Sequence, residues 1–262
     1  MAKASPAEHR GMSATPVPRI FDQARRRRRW QRALARQRRA DAADFLYRSF
    51  ADEIEDRLGF MNLRPRTALV LGDPAGHAQA ALARLGADVT SASPLDTDEE
   101  RALGGGHDLV ASLAMLDTVN DVPGALIHMR NALAPGGIAM IAFVGAGSLA
   151  NLRRALLAAE PDRQAARMHP MIDIQAGSAL MQRAGFARQV ADGYPLKVRY
   201  RGLDRLVGDL RDQALTNVLA SPPPPLGRAA AGRARDAFLS SADAEGRVTE
   251  TFEIVTLTGW KD

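Results

Sequence analysis

TALVLGDPAG, residues 67–76, is a short apolar run that breaks into a Gly-x-x-x-Gly turn. HAQAALARL follows it, with Ala78, Ala81, Leu82 and Leu85 at helical i, i+3, i+4, i+7 spacing. The stretch therefore reads as buried strand, tight turn, helix. In doubly wound α/β proteins such a turn holds nucleotide-like ligands, because its backbone N–H groups and the helix N-terminus face the crevice above the sheet.

Working outward, Asp88–Ala92 (DVTSA) and Asp108–Ser112 (DLVAS) read as further strands. Asn120 is placed to cap a helix with Pro123 in its first turn and Val122, Leu126, Met129 and Leu133 inward. Pro135-Gly136-Gly137 ends that helix and opens the apolar strand IAMIAF. Strands and helices alternating at this length predict an α/β doubly wound, mostly parallel, Rossmann-like sheet with right-handed crossovers. Upstream, Leu46, Phe50, Ile54 and Leu58 are four apart, so Ala43–Leu58 is an amphipathic helix. Downstream, Ser148 is placed to cap a helix with Leu149, Leu152 and Leu156 inward, and a second helix ends at Arg183–Phe186. Ala187–Tyr200 carries one or two strands, Leu203–Leu215 a helix, Pro222–Pro225 a stiff spacer and Glu250–Thr258 the last strand. The reading gives a tail at 1–18, expected to be disordered, and one domain at 19–262. Within that domain, helices occupy 19–60, a cofactor-binding half 66–146, and a C-terminal half 147–262 with a helical insertion at about 201–247.

The chain's 262 residues, 46% hydrophobic and 25% charged, suit an ordinary globular protein with one large core. Its longest apolar run, Ile138–Gly147, is about half of what a membrane-crossing helix needs. Cysteine is absent, which excludes disulfides and thiolate sites and fits a reducing, cytoplasmic setting. The five histidines show no HxxxH or HExxH spacing, so no metal site is expected. No Gly-x-Ser-x-Gly elbow occurs, and Gly104–Gly106 precedes no lysine-bearing helix of the phosphate-loop kind. The net charge of +5 is local. Ten arginines and one acid between Arg19 and Arg39 give that segment +9, leaving −4 for the rest. RRRRRWQRALARQRR, residues 25–39, reads as a basic helix with Trp30, Ala33 and Leu34 on one face. Packed on the domain through Trp30, it would hold Arg25–Arg29 in solvent; alternatively it would attract nucleic acid or an anionic membrane. It is arginine-rich like a transit peptide, but it runs almost directly into the first domain helix.

Several stretches carry a resemblance. HDLVASLAMLDTVNDVPGALIHMRNALAPGG (107–137), FVGAGSLANLR (143–153), LMQRAGF (180–186), VRY followed by LVGDLR, and TFEIVTLTGWK (251–261) keep one order and spacing. The chain resembles the class I S-adenosylmethionine-dependent methyltransferases of the methyltransferase-11 type. Within them it is similar to the branch that includes the respiratory complex I assembly factor associated with arginine hydroxylation. The resemblance implies a seven-stranded sheet, S-adenosylmethionine as cofactor, and a protein client of the respiratory-complex-subunit kind in preference to nucleic acid.

By the same resemblance Gly72, Pro74, Gly76, Ser93 and Leu113 stand at the cofactor positions, and each motif is altered. Val70 replaces the strand acid, and Pro74 replaces a glycine whose backbone must approach the cofactor. Ser93 replaces the acid that accepts two ribose hydroxyls. The connection from Ser93 to Asp108 is too short for a strand plus crossover helix, so the family's third strand is expected to be missing and the adenine side open. The surviving order would be second, first, fourth, fifth, seventh, sixth. Asp117-Thr118 stands where the family has His-Trp. Asp117, His169 and Asp173 are the candidate client-facing residues, and no catalytic residue is assigned. The altered motifs predict weakened or absent cofactor binding. An active enzyme and a catalytically silent binding module are the two functions in view.

Overall fold

Strand β1 (Thr67–Leu71) reads as an unbroken apolar run because both of its faces are covered in the computed structural model of the protein. Ala68 and Val70 point into one core with helices α2 (Phe45–Phe60) and α3 (His77–Arg84). Leu69 and Leu71 point into the opposite core with α4 (Val122–Ala132). The structure describes residues 19–163 and 165–262, and the tail expected at 1–18 lies outside them.

The remaining strands are β2 (Asp88–Ala92), β3 (His107–Leu113), β4 (Leu133–Val144), β5 (Ala187–Tyr200) and β6 (Val248–Trp260). They form one six-stranded sheet in the order β2-β1-β3-β4-β6-β5. β1 pairs in parallel with β2 and β3, and β3 with β4, while β6 runs antiparallel to both neighbours. This is the family order with its third strand missing. Residues 93–106 hold only turns and irregular backbone, as the short connection requires. Helices α5 (Ala150–Ala159), α7 (Leu203–Asp212) and α8 (Arg228–Leu239) join α2 and α3 on one face. Helix α6 (Ile174–Arg183) joins α4 on the other. Among the described residues no helix is long and apolar enough to cross a membrane.

Some local expectations are corrected. Asp121, not Asn120, caps α4, its Oδ1 accepting from Gly124 N at 3.0 Å. Asn120 Oδ1 instead accepts from Ile20 N and Phe21 N and ties down the segment before the first helix. Ser148 does not cap α5, because Leu149 takes the cap position at φ +58°. Ser148 donates to Gly145 O, and the N–H groups of Asn151 and Leu152 are met by the buried carboxylate of Glu250 across the sheet. α7 stops at Asp212 rather than Leu215, since Ala214 is left-handed at φ +54°. β5 is one long strand, and β6 outruns its expected bounds because it is paired on both sides.

The basic helix α1 (Gln23–Gln37) departs most from expectation. Trp30 is 2% exposed, packed with Ala33, Met115 and Ala214. Arg27 and Arg28 are exposed, but Arg26 and Arg29 are 2% and 3% exposed. The solvent-facing reading of Arg25–Arg29 is therefore wrong for two of the five. At positions 26, 29, 30 and 33 one helical face points inward, and two arginines lie on it.

Candidate cofactor crevice and adjoining cavity

The turn after β1 brings Gly72, Pro74 and Gly76 to the carboxyl end of the sheet, where this architecture places its ligands. Gly72 sits at φ +85°, and a Cβ there would lie 2.2 Å from Met115 Cγ and 2.5 Å from Leu113 O. Only glycine fits, and what it accommodates is the protein's own Met115 and the backbone of Leu113. Gly76, at φ +74°, starts α3. The first N–H groups of that helix are already engaged: Asp73 accepts from His77 N at 3.2 Å and from Gln79 N at 3.0 Å. Burial pushes the Asp73 carboxyl above its ordinary range despite those donors.

Behind Met115 lies a buried ion pair. Arg26 donates from both terminal nitrogens to Glu99, at 2.6 and 2.5 Å, from Nε to Thr118 Oγ1, and from Nη2 to the carbonyl of Met115. Glu99 is 0% exposed and comes from the short connection where the third strand is missing. Burial works against the charge of Arg26, yet attraction and hydrogen bonding to Glu99 together hold its pKa above the usual arginine value. Arg29 lies alongside, donating to Thr216 O and Thr118 Oγ1, and burial pushes its guanidinium down to about 10.

At the end of β2, Ser93 does not stand free for a ribose. Its N–H and hydroxyl both donate to Asp96 Oδ1, at 2.8 and 3.1 Å, in a closed local turn. Beside it a trough of about 480 Å³ is lined by Leu71, Thr90, Asp96, Asp98 and Arg101, along the edge left bare by the short connection. Gly72, Leu113 and Ser93 are thus brought to one end of the sheet, but each is satisfied by the protein itself. The glycine turn is closed on by Met115 and Ser93 is no two-acceptor carboxylate, while Asp96 and Asp98 line the trough beside it.

The candidate client-facing residues divide. Asp117 and His169 line one cavity of about 180 Å³, whereas Asp173 lies in the lining of a different one. Asp117 Oδ1 is buried without a hydrogen-bond partner. Burial pushes its carboxyl up, with Arg29 and Arg26 pulling the other way. His169 Nε2 accepts from Val218 N at 2.8 Å, which leaves the ring proton on Nδ1, and Phe21 stacks edge-on at 5.2 Å. Burial, helped by Arg29, pushes its pKa down to about 3, so it is neutral at ordinary pH. Asp173 is the cap of α6, accepting from Ala176 N at 2.7 Å. Among the described residues no group of three His, Asp or Glu side chains is arranged to hold a metal ion.

Arg26, Arg29, Glu99 and Met115 are the site residues that sequence reasoning missed. The spacing of Arg26 and Arg29 with Trp30 and Ala33 was the available signal, outweighed by the habit of arginine for solvent. Glu99, in a polar loop, carried none.

A six-stranded sheet with β6 antiparallel beside β5, helices on both faces and a glycine turn after β1 defines the class I methyltransferase fold. The sequence profile of the methyltransferase-domain family matches residues 34–189, more than half of the chain. The chain belongs to this S-adenosylmethionine-dependent family. It is 31% identical over 161 residues to the mitochondrial arginine-hydroxylase NDUFAF5 of Mus musculus, an alignment covering 59% of this chain and 46% of that protein. The chain spans just under half the length of these mitochondrial relatives. A malonyl-[acyl-carrier protein] O-methyltransferase of Methylovorus is 26% identical, with 92% of this chain and 90% of that one aligned. Among solved structures, a putative methyltransferase of Bacillus halodurans shares the fold at a TM-score of 0.50 with 10% identity, covering 80% of this chain and 99% of that one.

Proposed function

We propose that this family member keeps the methyltransferase fold as a binding module for a protein client and holds S-adenosylmethionine weakly or not at all. The observation that carries the reading is Met115, which closes on Gly72 and whose carbonyl accepts from Arg26 of the buried Arg26–Glu99 pair. Admitting a cofactor there would require displacing Met115 and exposing or separating two charges, and breaking such a pair commonly costs about 3–5 kcal/mol. Asp73 on the helix N-terminus and Asp96 on Ser93 add to the closure. A protein client, a respiratory complex subunit by family resemblance, is favoured over nucleic acid or an anionic membrane. Two of the five consecutive arginines that would serve a polyanion are committed to the fold. A cysteine-free chain fits a reducing compartment such as the cytoplasm.

The second reading, an active methyltransferase, draws support from the near full-length alignment with the malonyl-[acyl-carrier protein] O-methyltransferase. Titration calorimetry with S-adenosylmethionine and S-adenosylhomocysteine separates the two. Absence of saturable heat up to about millimolar ligand is the expected result, and a low-micromolar dissociation constant would overturn the silent reading.

A further inference from the structure

The cavity that holds Asp117 and His169 adjoins a second, more open one, and the two are chemically different. The inner chamber, about 180 Å³, is walled by Leu149 at the cap of α5, Leu152 and Leu156 of α5, Val207 and Leu210 of α7, and Met171. The outer one, about 420 Å³, carries Arg153, Arg163, Arg167 and one acid, Glu160. They share Leu156, Arg167, Met168, His169 and Pro170 as a common wall. Arg167 is fixed by Glu160 at 2.7 Å and by donation to Pro224 O, while Arg153 and Arg163 are exposed and form no ion pair among the described residues. The mouth is therefore net positive, and the interior is mainly apolar, with Asp117 and Arg167 also in its lining.

From this juxtaposition we infer that the paired cavities form a binding site for a medium-chain acyl carboxylate, its tail in the α5–α7 chamber and its carboxylate at Arg153 and Arg163. The chamber slightly exceeds the roughly 150 Å³ apolar cavity that accepts benzene, so it holds a tail of about six to eight carbons. Asp117 is the one acid in the chamber lining, and it recruits no amine: Arg29 and Arg26 lie against it, and three more arginines guard the entrance. Neutral His169 on the shared wall adds no charge of its own.

The site stands apart from the crevice at Gly72, so its test is independent of whether S-adenosylmethionine binds. Butanoate, hexanoate, octanoate and octylamine are titrated into the full chain by calorimetry. Affinity is expected to rise about fourfold per methylene up to octanoate, with octylamine at least tenfold weaker than octanoate. Val207→Trp, which fills the chamber, is expected to abolish octanoate binding. Arg153→Glu with Arg163→Glu changes only exposed side chains, so it reads out the head-group contact even if the tryptophan variant fails to fold. That double variant is expected to weaken octanoate at least tenfold and to strengthen octylamine. No saturable octanoate binding, affinity independent of chain length, octylamine matching octanoate, or an unchanged octanoate affinity in the double variant would each overturn the assignment.

Discussion

The crevice at Gly72 and the cavity at Asp117 both lie toward the carboxyl end of the sheet, yet at Gly72 the protein's own Met115 closes in, whereas the cavity at Asp117 is hollow. The difference lies in what each segment contributes. Helix α1 and the 93–107 connection send long charged side chains inward, where Arg26 and Glu99 meet and Met115 closes over Gly72. Helices α5 and α7 send leucine and valine, whose short branched side chains leave a chamber between them. At Gly72 the space is taken by one methionine, its carbonyl held by one buried ion pair, beside a loop that has been shortened.

Removing one partner of the Arg26–Glu99 pair is expected to have the largest effect. Arg26→Ala leaves Glu99 buried without its partner and is expected to destabilise the protein by about 3–5 kcal/mol in urea unfolding. Arg26→Met with Glu99→Met should recover most of that loss, because an apolar pair of similar volume needs no solvation. A single variant with unchanged stability would mean that water already reaches the crevice. A smaller effect is expected at Gly72→Ala, about 1–3 kcal/mol from overpacking at a positive φ. Adding Met115→Ala should not rescue it, since the Leu113 carbonyl remains 2.5 Å from the new Cβ. Full rescue would show that the methionine alone sets the glycine requirement.

A further effect, read through pH, tests the hollow side. His169 has a folded pKa of about 3 against an ordinary 6.5, so below pH 6.5 the unfolded chain takes a proton that the native state refuses. Its contribution is intact above pH 6.5 and is lost progressively as the pH falls toward 3. His169→Gln, still able to accept from Val218 N, should therefore flatten the fall of the melting temperature between pH 6.5 and 5. An unchanged slope would show that the imidazole titrates freely and that the chamber wall is open to water.

Much of this was legible in the chain alone. The apolar run at 67–71, the glycine turn and the periodic alanines and leucines of α3 fixed the first strand, turn and helix, because those signals are local and repeat within a few residues. The missing third strand followed from counting residues between Ser93 and Asp108, since no crossover fits in that length. The degenerate glycine and ribose positions were visible one by one. What the pattern could not show was that Arg26 would turn inward to a glutamate 73 residues away, or that Asp117 and His169 would share a chamber that excludes Asp173. An arginine on a helical face carries the same letter in solvent as in the core. Which it becomes depends on whether a carboxylate arrives from elsewhere in the chain to neutralise it, and only the tertiary structure decides that.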